Sequence, residues 1–157
     1  MAFQGVTSRL AAAVLTANAV LGSGIEAPFA AVRWRPTDRG VRLGLAPLVT
    51  GPPVPWPEAV GRLVESAFVP WVACVRRHVR IGERLLWGNA AASLVTLAQQ
   101  LGVDRTAALD RLPMTDLADL LPRTYWRTTC CLIDRAPGYG RCGECSLDRP
   151  THVRKVP

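Results

Sequence analysis

Lysine is almost absent from this chain: Lys155 is the only one, and arginine supplies the rest of the 19 basic side chains. With alanine, glycine and proline abundant, that skew reads as the codon habit of a GC-rich genome rather than selection for guanidinium chemistry. A formal net charge of +7 would by itself invite a nucleic-acid partner. The chain has no lysine cluster, no recognition motif and no aromatic stacking platform, its aromatics amounting to 6%; nucleic acid is therefore not expected. Histidine is scarce too. His78 and His152 have no partner at ligand spacing, which leaves both as ordinary surface or core residues. No G-x-G-x-x-G follows a strand-like run, so the chain has no nicotinamide or flavin fingerprint of its own. Long apolar runs are missing as well. The best, Leu10 to Leu21, is twelve residues, interrupted by Asn18, and too short to cross a bilayer. Thr7-Ser8 before it and Gly22 after it read as helix caps. A cytoplasmic helix is expected, with no stable membrane insertion.

What the chain does have is cysteine in one place. Four of its five cysteines, Cys130, Cys131, Cys142 and Cys145, lie close together: an adjacent pair, a ten-residue spacer and a C-x-x-C clamp. Four thiols so placed can close around one metal centre. A structural zinc site wants ligand pairs two to four residues apart at tetrahedral corners. Cys142 and Cys145 meet that rule; the adjacent pair does not. A [2Fe–2S] rhomb spreads four thiolates over two irons, so neighbouring sulfurs can point to different corners. Pro137, Gly138 and Gly140 suit a spacer that must turn back on itself. Gly143 leaves room for a tight loop with N–H groups aimed at sulfur. Spacing favours the iron–sulfur reading over zinc, two disulfides in an exported protein or four unliganded thiols, which would oxidise readily. All four readings remain open at this level.

The C-C-x10-C-x2-C arrangement resembles the signature of the ferric-siderophore reductase (FhuF-type) family. The likeness holds at Cys130, Cys131, Cys142 and Cys145, with Arg127 ahead and Pro137-Gly138 in the spacer. Ser146 departs from it, standing where a proline often follows the last cysteine. Arg84 to Asn89, with its Gly88-Asn89 step, resembles a helix of that family, and Arg33-Trp34-Arg35-Pro36 through Leu43 its short strand region. The resemblance implies a cytoplasmic one-electron reductase that carries a [2Fe–2S] cluster on the four cysteines. Its substrate would be a ferric siderophore of hydroxamate type, and Fe(II) would be released. Electrons would come from a separate donor such as a ferredoxin or an NAD(P)H-dependent reductase. The family typically has further sequence ahead of the part matching Gly5 to Leu21, which leaves two readings open: a truncated member with an incomplete substrate cleft, or a start codon further upstream. The alternative is a non-enzymatic binding module that zinc or an inert cluster fastens together.

The rest of the sequence predicts a mainly α fold with one small β-hairpin (α+β), a single domain with an irregular cysteine-rich tail. Its parts are a helical domain over 1–122 and a cluster-binding segment over 123–157. Helices are expected over Ser8 to Leu21, from Pro57 on, over Ile81 to Leu101, and in short pieces to Leu112 and from Thr115 to Leu121. Pro70 should kink or break the second. Ala31 to Arg35 and Val41 to Leu45 should pair as a hairpin; Val49 to Pro57 reads as a proline-rich connector. Cys74 fits a buried core position, and the five tryptophans fit packing anchors, Trp126 close enough to shield the cysteines. Gly88 and Asn89, both weak helix formers, predict either a packing role or, at Asn89, a hydrogen bond into a substrate cleft. From Arg123 onward there are seven bases and three acids, an excess that fits either a plain solvated arginine face or surroundings that offset an anionic cluster and favour electron uptake.

Overall fold

A computed structural model of the chain describes residues 2–38, 40–135, 138 and 140–148. Pro137, His152 and the last nine residues of the expected cluster-binding segment lie outside the described residues.

Helix α1 (Ala2–Val20) begins well before the expected Ser8. Thr7 is not its cap. Its hydroxyl is fully buried, donates back to the Phe3 carbonyl at 3.1 Å and meets Ser93 Oγ at 3.1 Å. Helix α2 (Trp56–Leu63) starts with Pro57 in its first turn, where a missing N–H is harmless. A π-helical turn, Val64–Phe68, joins it to α3 (Val69–His78). Pro70 has no N–H for the carbonyl four residues back, Ser66, so the ladder widens just there instead of breaking. Helix α4 (Glu83–Leu101) ends at Gly102, whose φ of 68° lets Val103 N donate to Ala98 O at 3.0 Å. Asp104 caps the short α5 (Arg105–Leu109) by accepting from Thr106 N at 2.8 Å.

Among the described residues the strands form three antiparallel pairs, not one hairpin. β1 (Gly24–Glu26) pairs with β4 (Val49–Gly51), so the proline-rich connector opens with a strand. β2 (Val32–Thr37) pairs with β3 (Gly40–Leu45), from Val32 opposite Leu45 to Thr37 opposite Gly40, where the hairpin was expected. Trp34 on that hairpin is 66% exposed and anchors nothing. β5 (Ala118–Leu120) pairs with β6 (Tyr125–Arg127), which overturns the helix expected from Thr115 to Leu121. Asp116, with a left-handed φ of 57°, stops a helix from propagating into it.

The core lies where α1 and α4 pack together and α2, the π turn and α3 close over them. Leu10, Ala11 and Leu15 meet Val60, Leu63, Phe68, Leu86, Ala90 and Leu94 there. Leu15 and Leu94 are fully buried and contribute about 2 kcal/mol each by area. Trp71 stacks edge-on between Phe3 and Phe29, at 6.2 and 6.0 Å. Cys74 is half-buried rather than buried. The whole is a mixed α+β arrangement in which helices predominate. Among the described residues no helix is long and apolar enough to cross a membrane.

Candidate metal centre

The cysteine segment is docked along one face of α4. Residues four apart share a helix face, and here Arg84, Gly88, Ala92 and Thr96 form the row that receives it. Tyr125 of β6 buries its ring against Ala92 and Val95, and its hydroxyl meets Thr96 Oγ1 at 3.0 Å. Burial pushes the Tyr125 hydroxyl above its ordinary pKa. Arg84 donates to the Asp116 carbonyl at 2.7 Å, and Thr128 Oγ1 donates to the same carbonyl. Arg105 grips the β5–β6 turn through the carbonyls of Leu121 at 2.7 Å and Thr124 at 2.9 Å. Hydrogen bonds and a strand pair thus run across the expected boundary between residues 122 and 123.

Gly88 is where the segment comes closest. A Cβ there would lie 1.8 Å from Thr129 Oγ1 and 3.0 Å from Thr129 Cβ. Thr129 immediately precedes the adjacent cysteines, so the absent side chain of Gly88 sets how near they come to α4. Asn89, next to it, is 4% exposed, and its Oδ1 accepts from Arg127 Nη2. The Gly-Asn step singled out in the sequence therefore serves the cysteine segment. The hydrogen bond the structure gives Asn89 is to the protein's own arginine.

Arg127 is the residue that sequence reasoning undervalued. It is 1% exposed, and Nη1 reaches Gln4 Oε1 at 3.3 Å, across almost the whole chain. Its Nε and the Thr129 hydroxyl are buried without a hydrogen-bond partner. Among the described residues no carboxylate lies within ion-pair distance of it. Nothing in local composition marks which of eighteen arginines will be enclosed by amides; its place ahead of the cysteines in the family resemblance and its position after Tyr125-Trp126 were the cues.

Beyond β6 the chain folds its two cysteine pairs toward each other. Arg127 N donates to Glu144 O at 3.3 Å, tying the clamp to the strand end. Cys145 N donates to Cys142 O at 3.1 Å and Asp148 N to Cys145 O at 3.1 Å, and an Arg141–Asp148 ion pair spans the clamp. Cys131 and Cys145 are buried; Cys130 and Cys142 are half-buried. Cys131 Sγ donates a hydrogen bond to Cys142 Sγ at 3.6 Å, a separation well beyond the ~2.05 Å of a disulfide. Leu132 takes a left-handed φ of 61°, which a branched side chain rarely adopts, and its N–H donates to Cys130 Sγ at 3.3 Å. The N–H···S bond thus comes from behind the adjacent pair. Trp126 is half-buried, and strand alternation puts it on the face opposite Tyr125 and Arg127.

Burial first, then the hydrogen bond and negative charge of Cys131, push the Cys142 thiol up to about 12; Arg127 pulls it down and Cys145 pushes it further up. Cys131, Cys142, Cys145 and Arg127 are therefore within electrostatic reach of one another. Among the described residues no three metal-ligating side chains converge on a single point; the unit that forms is the close pair Cys131–Cys142. His78 ends α3, exposed and apart from the cysteines in sequence. A cavity of about 500 Å3 lies elsewhere, between α1, α2, β1 and β4, and is lined by Val14, Asn18, Ile25, Val54 and Leu63. Asn18 and Gln4 are fourteen residues apart on α1, about 21 Å along its axis, and no cysteine lines the cavity. The chain matches no protein-family model and no curated protein.

Proposed function

We propose that Cys130, Cys131, Cys142 and Cys145 hold a [2Fe–2S] cluster and that the protein is a cytoplasmic one-electron reductase of ferric siderophores. The observation that carries the reading is the 3.6 Å between Cys131 and Cys142 sulfurs, eleven residues apart in the chain. Two thiolates ~2.3 Å from one ion at tetrahedral angles lie about 3.8 Å apart. A two-iron centre asks for two thiolates per iron, so a close pair is the unit it needs. The donors also fit an anionic group: a buried guanidinium with a vacant Nε, a buried hydroxyl with no partner and an N–H turned onto Cys130 surround the cysteines.

When bound, the cluster supplies one electron to the Fe(III) of a chelate, leaving Fe(II), which hard oxygen ligands hold far less tightly. The chain's own part is to seat the four thiolates against α4. Gly88 admits the segment, Asn89 holds Arg127, and Cys130 and Cys142 stay half-exposed where electrons can pass. The electron donor is a separate protein, and a hydroxamate siderophore is the substrate class suggested by the resemblance.

Protein purified anaerobically should be red-brown, with two irons and two sulfides per chain, roughly the stoichiometry of such a cluster. A ferric hydroxamate should reoxidise the dithionite-reduced form while ferrozine traps one Fe(II) per electron lost. The same siderophore carrying Ga(III), which has the size and charge of Fe(III) but accepts no electron, should leave it reduced. Colourless protein with one zinc per chain would replace this reading with that of a zinc-fastened binding module. A good cluster that no ferric chelate oxidises would leave an iron–sulfur protein of another kind.

A further inference from the structure

Arg127 is a buried charge that the described fold leaves unbalanced. Its side-chain acceptors are the amide oxygens of Asn89 and Gln4, both neutral, and its buried Nε has none. A guanidinium cannot shed its proton to escape, and an ion out of water is costly unless opposite charge lies close. Among the described residues the other arginines of the segment cannot substitute: Arg123, Arg135 and Arg141 are exposed, where water and salt screen them. Arg127 also spans the right neighbours, because its strand leads directly into Thr129 and the adjacent cysteines while its own N–H holds Glu144 of the clamp.

We infer that Arg127 is a positioning residue whose guanidinium is the built-in counter-charge of the metal–thiolate centre and raises the centre's midpoint potential, with Asn89 and Gln4 aiming its fork. The inference rests on the [2Fe–2S] reading above. An oxidised cluster with four thiolates has a formal charge of about −2, and one added electron makes it about −3. The attraction to Arg127 grows with that electron, so the arginine favours the reduced form. Asn89 and Gln4 contribute by being neutral. A carboxylate at either place would pair with Arg127 and cancel the charge the centre uses. The amides orient the guanidinium and leave its charge intact.

Asn89→Asp is the decisive variant, because it keeps shape and adds the carboxylate that Arg127 lacks. Redox titration followed by EPR should give a midpoint potential lower than wild type by at least 59 mV, a tenfold shift in the one-electron equilibrium, with iron content retained. The metal-free Asn89→Asp protein should melt no lower than wild type, since its buried charge is now paired. Arg127→Gln should lower the potential in the same sense, and Arg127→Lys, which keeps the charge and loses the fork, should restore most of it. If Arg127→Gln does not fold, Asn89→Asp decides alone. Cluster-bearing Asn89→Asp with an unchanged potential would overturn the inference while leaving the cluster assignment standing. Wild-type protein without iron would overturn the cluster assignment and the inference together.

Discussion

Gly88→Ala reverses the sign that helix propensity dictates. Alanine for glycine inside a helix normally stabilises by up to about 1 kcal/mol. At position 88 the new methyl carbon would sit 1.8 Å from Thr129 Oγ1 and 3.0 Å from Thr129 Cβ. Rotating the threonine removes the first conflict but not the second, because Cβ is fixed to the backbone. The segment has to shift by a few tenths of an ångström against a close-packed helix face, and overpacking of this kind costs about 1–3 kcal/mol. The propensity gain accrues to α4, whereas the loss falls on the docked segment. The helical core should therefore unfold in urea within about 1 kcal/mol of wild type, while amide exchange over residues 125–145 accelerates and bound iron falls below half. Removing the obstacle should reverse the effect in steps. Thr129→Ala in the Gly88→Ala background still leaves the 3.0 Å contact and should recover little; Thr129→Gly removes it and should restore most of the iron. A Gly88→Ala protein with wild-type iron content and wild-type exchange in this segment would refute the docking described here.

Cys142→Ser should lose or badly disturb the metal centre, whereas Cys74→Ser, on half-buried α3, should keep iron content and spectrum; equal losses would mean that the ligands are wrongly assigned. In the metal-free protein the Cys142 thiol is pushed up to about 12 from an ordinary 9.0, so it holds its proton when folded and loses it more easily when unfolded. That contribution is fully present below about pH 9 and is lost as pH rises toward about 12. Melting of the metal-free protein should thus fall over that alkaline window, and a Cys142→Ser protein should show a shallower fall. Metal uptake must displace that proton, so binding should release acid, measurable in weakly buffered solution.

Features written in local chemistry were legible. Pro57 at the start of a helix, the helix end at Leu101 and the β2–β3 hairpin all depend on neighbours a few residues away, and each lies where it was expected. Pairings over distance were not. β1 and β4 are three residues each, too short to carry a period-2 pattern, and exist because the ends of a long connection meet. Thr115 to Leu121 has the apolar content of a helix, yet Asp116 turns left-handed and Ala118 to Leu120 find β6 instead. Thr7 looked like a cap because nothing local reveals that Ser93 faces it. The cysteine spacing pointed to the site, and the weak helix formers Gly88 and Asn89 signalled that something crosses α4 there. That this something is Thr129 and Arg127 follows only from the docked fold. Gln4 gave no signal at all.

The bond between Gln4 and Arg127 joins the first turn of α1 to β6, 123 residues on. Closing a loop of that length costs about 4 kcal/mol in chain entropy, so the contact cannot form early from the tail's own resources. It waits until α1 and α4 have packed and their hydroxyl contacts between Thr7, Ser8 and Ser93 are made. The thiols should therefore come into register late, and a half-folded chain should offer scavenged zinc or copper no finished site. If the thiols hold the proposed cluster, metal insertion would become a checkpoint on biogenesis: only a molecule in which Gln4 has met Arg127 would be charged with iron.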